Sequence, residues 1–214
     1  MSAPRLLGFC FAVTTLFVLV SACTINFGGA KPRPTVSVTA SPQTSDTPSV
    51  VPGADNSEFP VPSDLRVNDS AEETAFTTPS GNITCAIFAF DGPAELRCDI
   101  TNHSWKAPAP TQACDGDWGS SITLIDQAAF GCISDTVMGT SAKGTAATWW
   151  WGRSSTDSSV RVYDQVLRAL PVGVGIQRAP FQCVSITGGV DCRNMQSGGR
   201  FVVTESEYSF VAGS

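Results

Sequence analysis

Asp115, Asp117, Asp126, Asp135, Asp164, Glu205 and Glu207 are the carboxylates that offer acid–base chemistry in this 214-residue chain. A pair of them would suit a glycosidase, in which one carboxyl protonates the leaving oxygen and the other serves as nucleophile or base. That chemistry depends on the separation of the two carboxyls, which sequence spacing does not set. Asp115 and Asp117 in CDGDWG resemble half of a calcium loop, but the further oxygen donors and the glutamate of a sensor loop do not follow. A turn after Cys114 accounts for the same residues, because Asp and Gly tolerate unusual backbone angles. His103 is the only histidine. Ser104 beside it is not a catalytic arrangement, since triad members meet in space from separate segments. TNHSW reads as a polar turn leading into Trp105. No phosphate loop or H-E-x-x-H is present, and GVGIQR lacks the dinucleotide fingerprint. These residues assign neither a catalytic group nor a cofactor.

Trp149-Trp150-Trp151 forms the candidate binding surface. In a strand, Trp149 and Trp151 would share one face and Trp150 the other, so at least one indole would be exposed. Exposed aromatics stack on sugar rings or on apolar groups of a partner. The competing role is to cover a thin β core from within an insertion.

The residue with the sharpest chemistry is Cys23. Leu6 to Ala22 is a 17-residue run without charge, preceded only by Arg5 and the terminal amine. A bilayer-spanning helix needs about 20 apolar residues. The run is shorter, and Thr14, Thr15 and Ser21 interrupt it. A short basic start, an apolar stretch and a small-residue exit form the layout of a secretory signal peptide. Val20-Ser21-Ala22-Cys23 resembles the bacterial lipobox: an aliphatic residue, two small ones, then cysteine. The peptidase cleft accepts only small side chains before the cut, and the thiol is the nucleophile that takes diacylglycerol as a thioether. The resemblance implies lipidation of Cys23, removal of residues 1–22 and acylation of the new amine. Two or more acyl chains give stable anchoring where one does not. The expected location is the outer face of the cytoplasmic membrane.

Removing residues 1–22 takes away one charge, Arg5, and moves the formal charge from −6 to −7. An acidic chain with scattered cations lacks the electrostatic footprint for nucleic acid and a polybasic patch for anionic lipid. Cys10 leaves with the signal and Cys23 takes lipid, so Cys85, Cys98, Cys114, Cys132, Cys183 and Cys192 remain. An even set in an exported domain reads as three disulfides. Cys183 and Cys192 flank VSITGGVD, where Gly188-Gly189 suits a hairpin turn. Cys85 and Cys98 flank AIFAFDGPAELR, with Asp91-Gly92-Pro93 as the turn. Facing positions on paired strands suit the short Cα separation of a disulfide. Cys114 is then left with Cys132. A metal cluster fails on spacing, since there is no C-x-x-C and the histidine lies far from any cysteine pair.

These side chains need a scaffold. Residues 23–70 read as a lipidated cysteine followed by a Pro/Ser/Thr-rich disordered linker, too poor in periodic apolar residues to bury a core. About 45 such residues reach roughly 140 Å if fully polyproline-like and average nearer 40 Å if flexible. From 71 to 214 the texture is that of a small, mainly β domain of short antiparallel strands. NITCAIFAF alternates Ile83, Cys85 and Ile87 on one face. ELRCDIT, SITLID, AAFGCIS, FQCVSIT, GVDCRN and RFVVTES are further β-branched and aromatic segments bounded by turn residues. SSVRVYDQVLRAL fits one helix face or extended chain, and Pro171 and its neighbours favour strand or irregular structure. A weak echo links SGNITCAIFAFDGPAELRCDI with FQCVSITGGVDCRN. Both read cysteine, strand, turn, strand, cysteine, and two such hairpins would pack across one another.

FTTPSGNITC (76–85), LRCDI (96–100), Trp105, CDGDWG (114–119), AFGCISDTV (129–137) and FQCVSITGGVDCRN (181–194) resemble, in that order, a family of small exported actinobacterial (mycobacterial-type) proteins. Many of its members are lipoproteins. The likeness covers roughly Phe76 to Phe210. It implies an envelope location and a disulfide-bonded β domain, and it brings no agreed activity. Two departures stand out. Between Met138 and Val166 this chain is longer than the family pattern, and the addition contains ATWWWGRSS. Near the end, Gly198-Gly199-Arg200-Phe201 stands where many members carry Gly-His-Gly-Phe. The function expected from these readings is a non-enzymatic binding or interaction domain that meets an envelope protein, glycan or lipid. The rivals are a wall-active hydrolase using paired carboxylates and an accessory subunit of an envelope complex.

Overall fold

The protein is seen here in a computed structural model that describes residues 58–69, 73–89, 92–152 and 158–214. The expected signal, Cys23 and the linker as far as residue 57 lie outside the described residues. The described segments belong to one compact unit, Ser45–Ser214, and are mainly β, as expected. The first run of strands is β1 (Asp64–Val67), β2 (Glu73–Thr77), β3 (Ile83–Phe88), β4 (Glu95–Ile100), β5 (Asp117–Leu124) and β6 (Ala128–Ile133). A 3-10 turn at Met138–Ser141 and a one-turn helix α1 (Ala146–Trp149) follow. The second run is β7 (Ser158–Val162), β8 (Gln165–Ala169), β9 (Val174–Arg178), β10 (Phe181–Ile186), β11 (Gly189–Asn194), β12 (Arg200–Thr204) and β13 (Tyr208–Val211). SSVRVYDQVLRAL is therefore a hairpin of β7 and β8, turned at Tyr163 with φ 52°.

The strands form a seven-stranded sheet in the order β6-β5-β4-β3-β2-β8-β7 and a six-stranded sheet in the order β1-β9-β10-β11-β12-β13. β2 to β6 run as an antiparallel meander, and β9 to β13 run as another. The two correspond position by position. Across the first, Phe76, Cys85, Cys98, Ile122 and Phe130 stand opposite one another in turn. Across the second, the same row is Ile176, Cys183, Cys192, Phe201 and Phe210. The echo of two cysteine hairpins is thus the visible part of a longer repeat.

Each half also lends a strand to the other's sheet. β1 lies parallel to β9, and β8 lies parallel to β2. The exchanges are equivalent in detail: the Asn68 N–H donates to the Gln177 carbonyl at 2.8 Å, and the Leu170 N–H to the Thr77 carbonyl at 2.8 Å. Parallel neighbours need a crossover of a dozen residues or more. From β1 to β9 the crossover includes the whole β2–β6 meander of the other sheet, and from β2 to β8 it runs through β3 to β7.

One apolar cluster fills the space between the sheets, with Phe76, Ile83, Ile87, Leu96 and Ile122 from one side and Ile176, Phe181, Val190 and Phe201 from the other. The alternation of Ile83, Cys85 and Ile87 points them all into it. The opposite face of β2 and β3 is covered as well. Ala75 and Ala86 meet Val137 and Ala147, with Phe88 packed alongside. The stretch between β6 and β7 therefore serves as a lid on the back of the seven-stranded sheet. Asp99 anchors its start: Oδ2 accepts from the Val137 N–H at 2.9 Å while Arg97 Nε donates to Oδ1 at 2.8 Å.

The folded unit takes in residues 58–69, which composition assigned to the linker. Pro62 lies over Gly175, where an added Cβ would come within 2.8 Å of the Pro62 Cβ, so the missing side chain lets the strap lie flush. The Ser63 N–H donates to the Gly173 carbonyl at 2.7 Å, and β1 follows. Proline content marks extended chain but does not say whether that chain is docked. A chain beginning at Ala71 should therefore melt several degrees below one beginning at Glu58, because it exposes the β9 edge and the Gly175 face. Equal melting temperatures by circular dichroism would place 58–70 outside the cooperative unit.

Candidate functional site

The three disulfides are Cys85–Cys98, Cys114–Cys132 and Cys183–Cys192. The first and third join residues directly opposite on neighbouring strands, with Cα separations of 4.0 and 4.1 Å. Such spacing belongs to the closely placed, non-hydrogen-bonded pairs of an antiparallel ladder. Both are fully buried, and the Cys192 sulfur comes within 4.8 Å of the sulfurs of Cys85 and Cys98. Among the described residues this is the one convergence of three or more potential metal-ligand atoms. Its sulfurs are already bonded in pairs, so the group is a stack of two disulfides. Cys114–Cys132 is different, lying at the rim with Cys132 exposed.

The tryptophan run is not a strand. α1 carries Trp149 outward at 58% exposure, while Trp151 turns into the core at 4%. The Trp151 indole N–H donates to the Ala75 carbonyl at 3.1 Å, Arg66 lies over its ring at 5.3 Å, and Trp150 packs against the same core from a half-buried position. A helical turn separates neighbours by about 100° where a strand alternates them, so one indole of the three is the most exposed. Trp149→Ala should cost less than about 1 kcal/mol. Trp151→Ala should cost about 3–5 kcal/mol. Chemical denaturation distinguishes them, and equal losses would contradict the assignment.

A larger aromatic group, not foreseen from the sequence, closes the gap between β6 and β13. Trp105 meets Tyr208 edge-on at 5.0 Å, and Phe130 lies 4.9 Å from Tyr208 and 5.2 Å from Phe210. His103 stacks on Trp105 with ring centroids 3.8 Å apart, and its Nδ1 donates to the Trp105 carbonyl at 2.9 Å. The Trp105 indole donates to the Thr204 carbonyl at 2.9 Å, and that of Trp118 to the Pro108 carbonyl at 2.8 Å. These indole N–H groups are used internally. His103 is therefore held as a packing residue, in keeping with its reading as part of a polar turn.

Of the carboxylates considered from sequence, Asp115, Asp117, Asp126, Asp164, Glu205 and Glu207 are exposed, and Asp135 pairs with Arg97 at 3.1 Å. Among the described residues the buried carboxylates are Asp99 and Asp191, each gripped by a guanidinium. Arg200 Nε donates to Asp191 Oδ1 at 2.8 Å, and its Nη2 bonds Oδ2. Burial pushes the Asp191 carboxyl above its ordinary range, against the opposing pull of Arg200 and Arg193.

That ion pair borders a cavity of about 310 Å³ on the outer face of the six-stranded sheet, walled by Phe59, Arg193, Asn194, Met195, Arg200 and Val211. Strand register creates it. Gln182, Arg193, Arg200 and Val211 stand in one row across β10 to β13, so two arginines face each other directly. Like charges in that position repel. Arg200 is neutralised by Asp191. Arg193 is held by a neutral acceptor, with Nε and Nη2 donating to Gln182 Oε1 at 3.1 and 2.7 Å. The Phe59 ring lies 4.0 Å from the Arg193 guanidinium carbon and 5.5 Å from that of Arg200. Arg193 and Arg200 sit equally far from the turn that joins β11 to β12. Once that hairpin is drawn, the pairing can be read from sequence.

No family model matches the chain, and no curated protein and no solved structure matches it. No helix among the described residues is long and apolar enough to cross a membrane.

Proposed function

We propose that this chain is a cell-envelope lipoprotein of the exported actinobacterial type it resembles, anchored through Cys23, which holds a non-enzymatic binding domain outside the cytoplasmic membrane. The observation that carries the reading is Val20-Ser21-Ala22-Cys23 at the end of an uncharged 17-residue run. Three disulfides support it, because such bonds persist in oxidising compartments and are rare where thiols are kept reduced. Binding is favoured over catalysis by the fate of the polar groups. His103 is committed to stacking, and the buried carboxylates are committed to arginines. The partner is an envelope protein, glycan or lipid, met through the Phe59–Arg193–Arg200 cavity or through Trp149. Nucleic acid is not expected for an acidic chain.

The reading is tested by metabolic labelling with an alkyne fatty acid. Wild type should carry label and fractionate with membranes, and Cys23→Ala should lose the label and be retained as an unprocessed or soluble form. Equal labelling of the two would sink the proposal.

A further inference from the structure

The cavity beside Phe59 holds a guanidinium, that of Arg193, which no carboxylate among the described residues pairs with. Two guanidiniums, those of Arg193 and Arg200, line the cavity, and Asp191 beside it pairs with Arg200. Arg200 is satisfied by Asp191 through two donors. Arg193 has no carboxylate within ion-pair distance among the described residues. Its Nε and Nη2 are spent on one amide oxygen, and its Nη1 makes no hydrogen bond to a described residue. The guanidinium edge formed by Nη1 and the second Nη2 hydrogen is the fork that pairs bidentately with a carboxylate or phosphate. It is also held in place, because Gln182 fixes one edge and the Phe59 ring supports one face. A preorganised fork loses less freedom on pairing than a flexible one.

The remaining walls are apolar or weakly polar: Phe59, Met195, Val211 and the Asn194 amide. Asn194 is itself engaged, its Nδ2 donating to the Ile125 carbonyl at 2.6 Å. A volume of about 310 Å³ lies at the small end of ligand sites. The geometry points to a site for a small organic monoanion, a carboxylate or phosphodiester whose charged group pairs with Arg193 and whose apolar part lies against Phe59 and Met195. A single anionic group matches the one guanidinium edge that Gln182 leaves unused. This rests on the binding-domain reading above and names the ligand class for it.

The test uses the full chain and four probes: butyrate, dimethyl phosphate, glycerophosphoglycerol and the neutral butyramide. Dissociation constants are read by NMR chemical-shift titration at two salt concentrations. The expected result is saturable binding of at least one anion, weaker at higher salt, with butyramide not bound. Preference for glycerophosphoglycerol over dimethyl phosphate would point to a lipid headgroup as the source, and preference for butyrate to an acidic glycan or metabolite. Arg193→Gln should weaken binding by at least about tenfold. Arg193→Lys, which keeps the charge but loses the fork, should fall between, and the remote surface change Arg161→Gln should bind as wild type does. Unchanged affinity in Arg193→Gln, equal binding of butyramide, or no binding by a wild type that retains its near-ultraviolet dichroism would overturn the assignment. Because Cys23 labelling is read separately, loss of this site leaves the lipoprotein reading standing, and loss of labelling leaves this site standing.

Discussion

The sandwich depends on the contact between two buried disulfides. Cys85–Cys98 crosses the central hairpin of one meander, Cys183–Cys192 crosses that of the other, and the sulfurs meet in the middle of the core. A cross-strand disulfide sets the register of its hairpin, and a register slip of one residue would turn a whole strand inside out. Locking both hairpins therefore fixes which side chains face inward from each sheet. The Phe76–Phe130 and Ile176–Phe210 rows then pack at the same level because the same bond defines both. Loops of this length contribute about 3 kcal/mol each by chain entropy, which matters to a domain of this size.

The exchange of β1 and β8 ties the halves further. With each half completing the other's sheet, neither has a full set of edges on its own. The first described residues of the chain, the strap from Glu58 to Ser63, are drawn across the outer face of the second half by the same exchange. That places Phe59 beside Arg193 and Arg200, so the cavity is a product of the strand swap as well as of β11–β12 register. The stretch between β6 and β7 does the corresponding service on the other sheet, covering Ala75 and Ala86 and sending Trp151 into the core.

Much of this was legible in the residues. The β class, the short segments and two disulfide pairs follow from alternation and from cysteines placed about turns, and Cys114–Cys132 follows as the pair left over. The parallel pairings were not legible, because β1 with β9 and β8 with β2 join segments far apart in sequence with no turn between them to signal contact. The strap was misread for a related reason: FPVPS has the composition of a tether, and only Gly175 in a distant strand gives it a seat. The faces of the tryptophan run follow a strand's alternation only if the run is extended, whereas local hydrogen bonding at Thr145 and Thr148 closes a helical turn. The Arg193–Arg200 pair needed the β11–β12 register, which the flexible-looking MQSGG turn does not declare. Cys23 stands apart: its reading is chemical, and the fold neither adds to it nor subtracts from it.

The most direct test of a core built on two within-hairpin disulfides is non-reducing peptide mass mapping of the purified protein. Cleavage after Arg97 separates Cys85 from Cys98, and cleavage before Asp191 separates Cys183 from Cys192. The account predicts Cys85 linked to Cys98, Cys114 to Cys132 and Cys183 to Cys192 as the dominant species. Any dominant bond between the halves, such as Cys85 to Cys183, would contradict it.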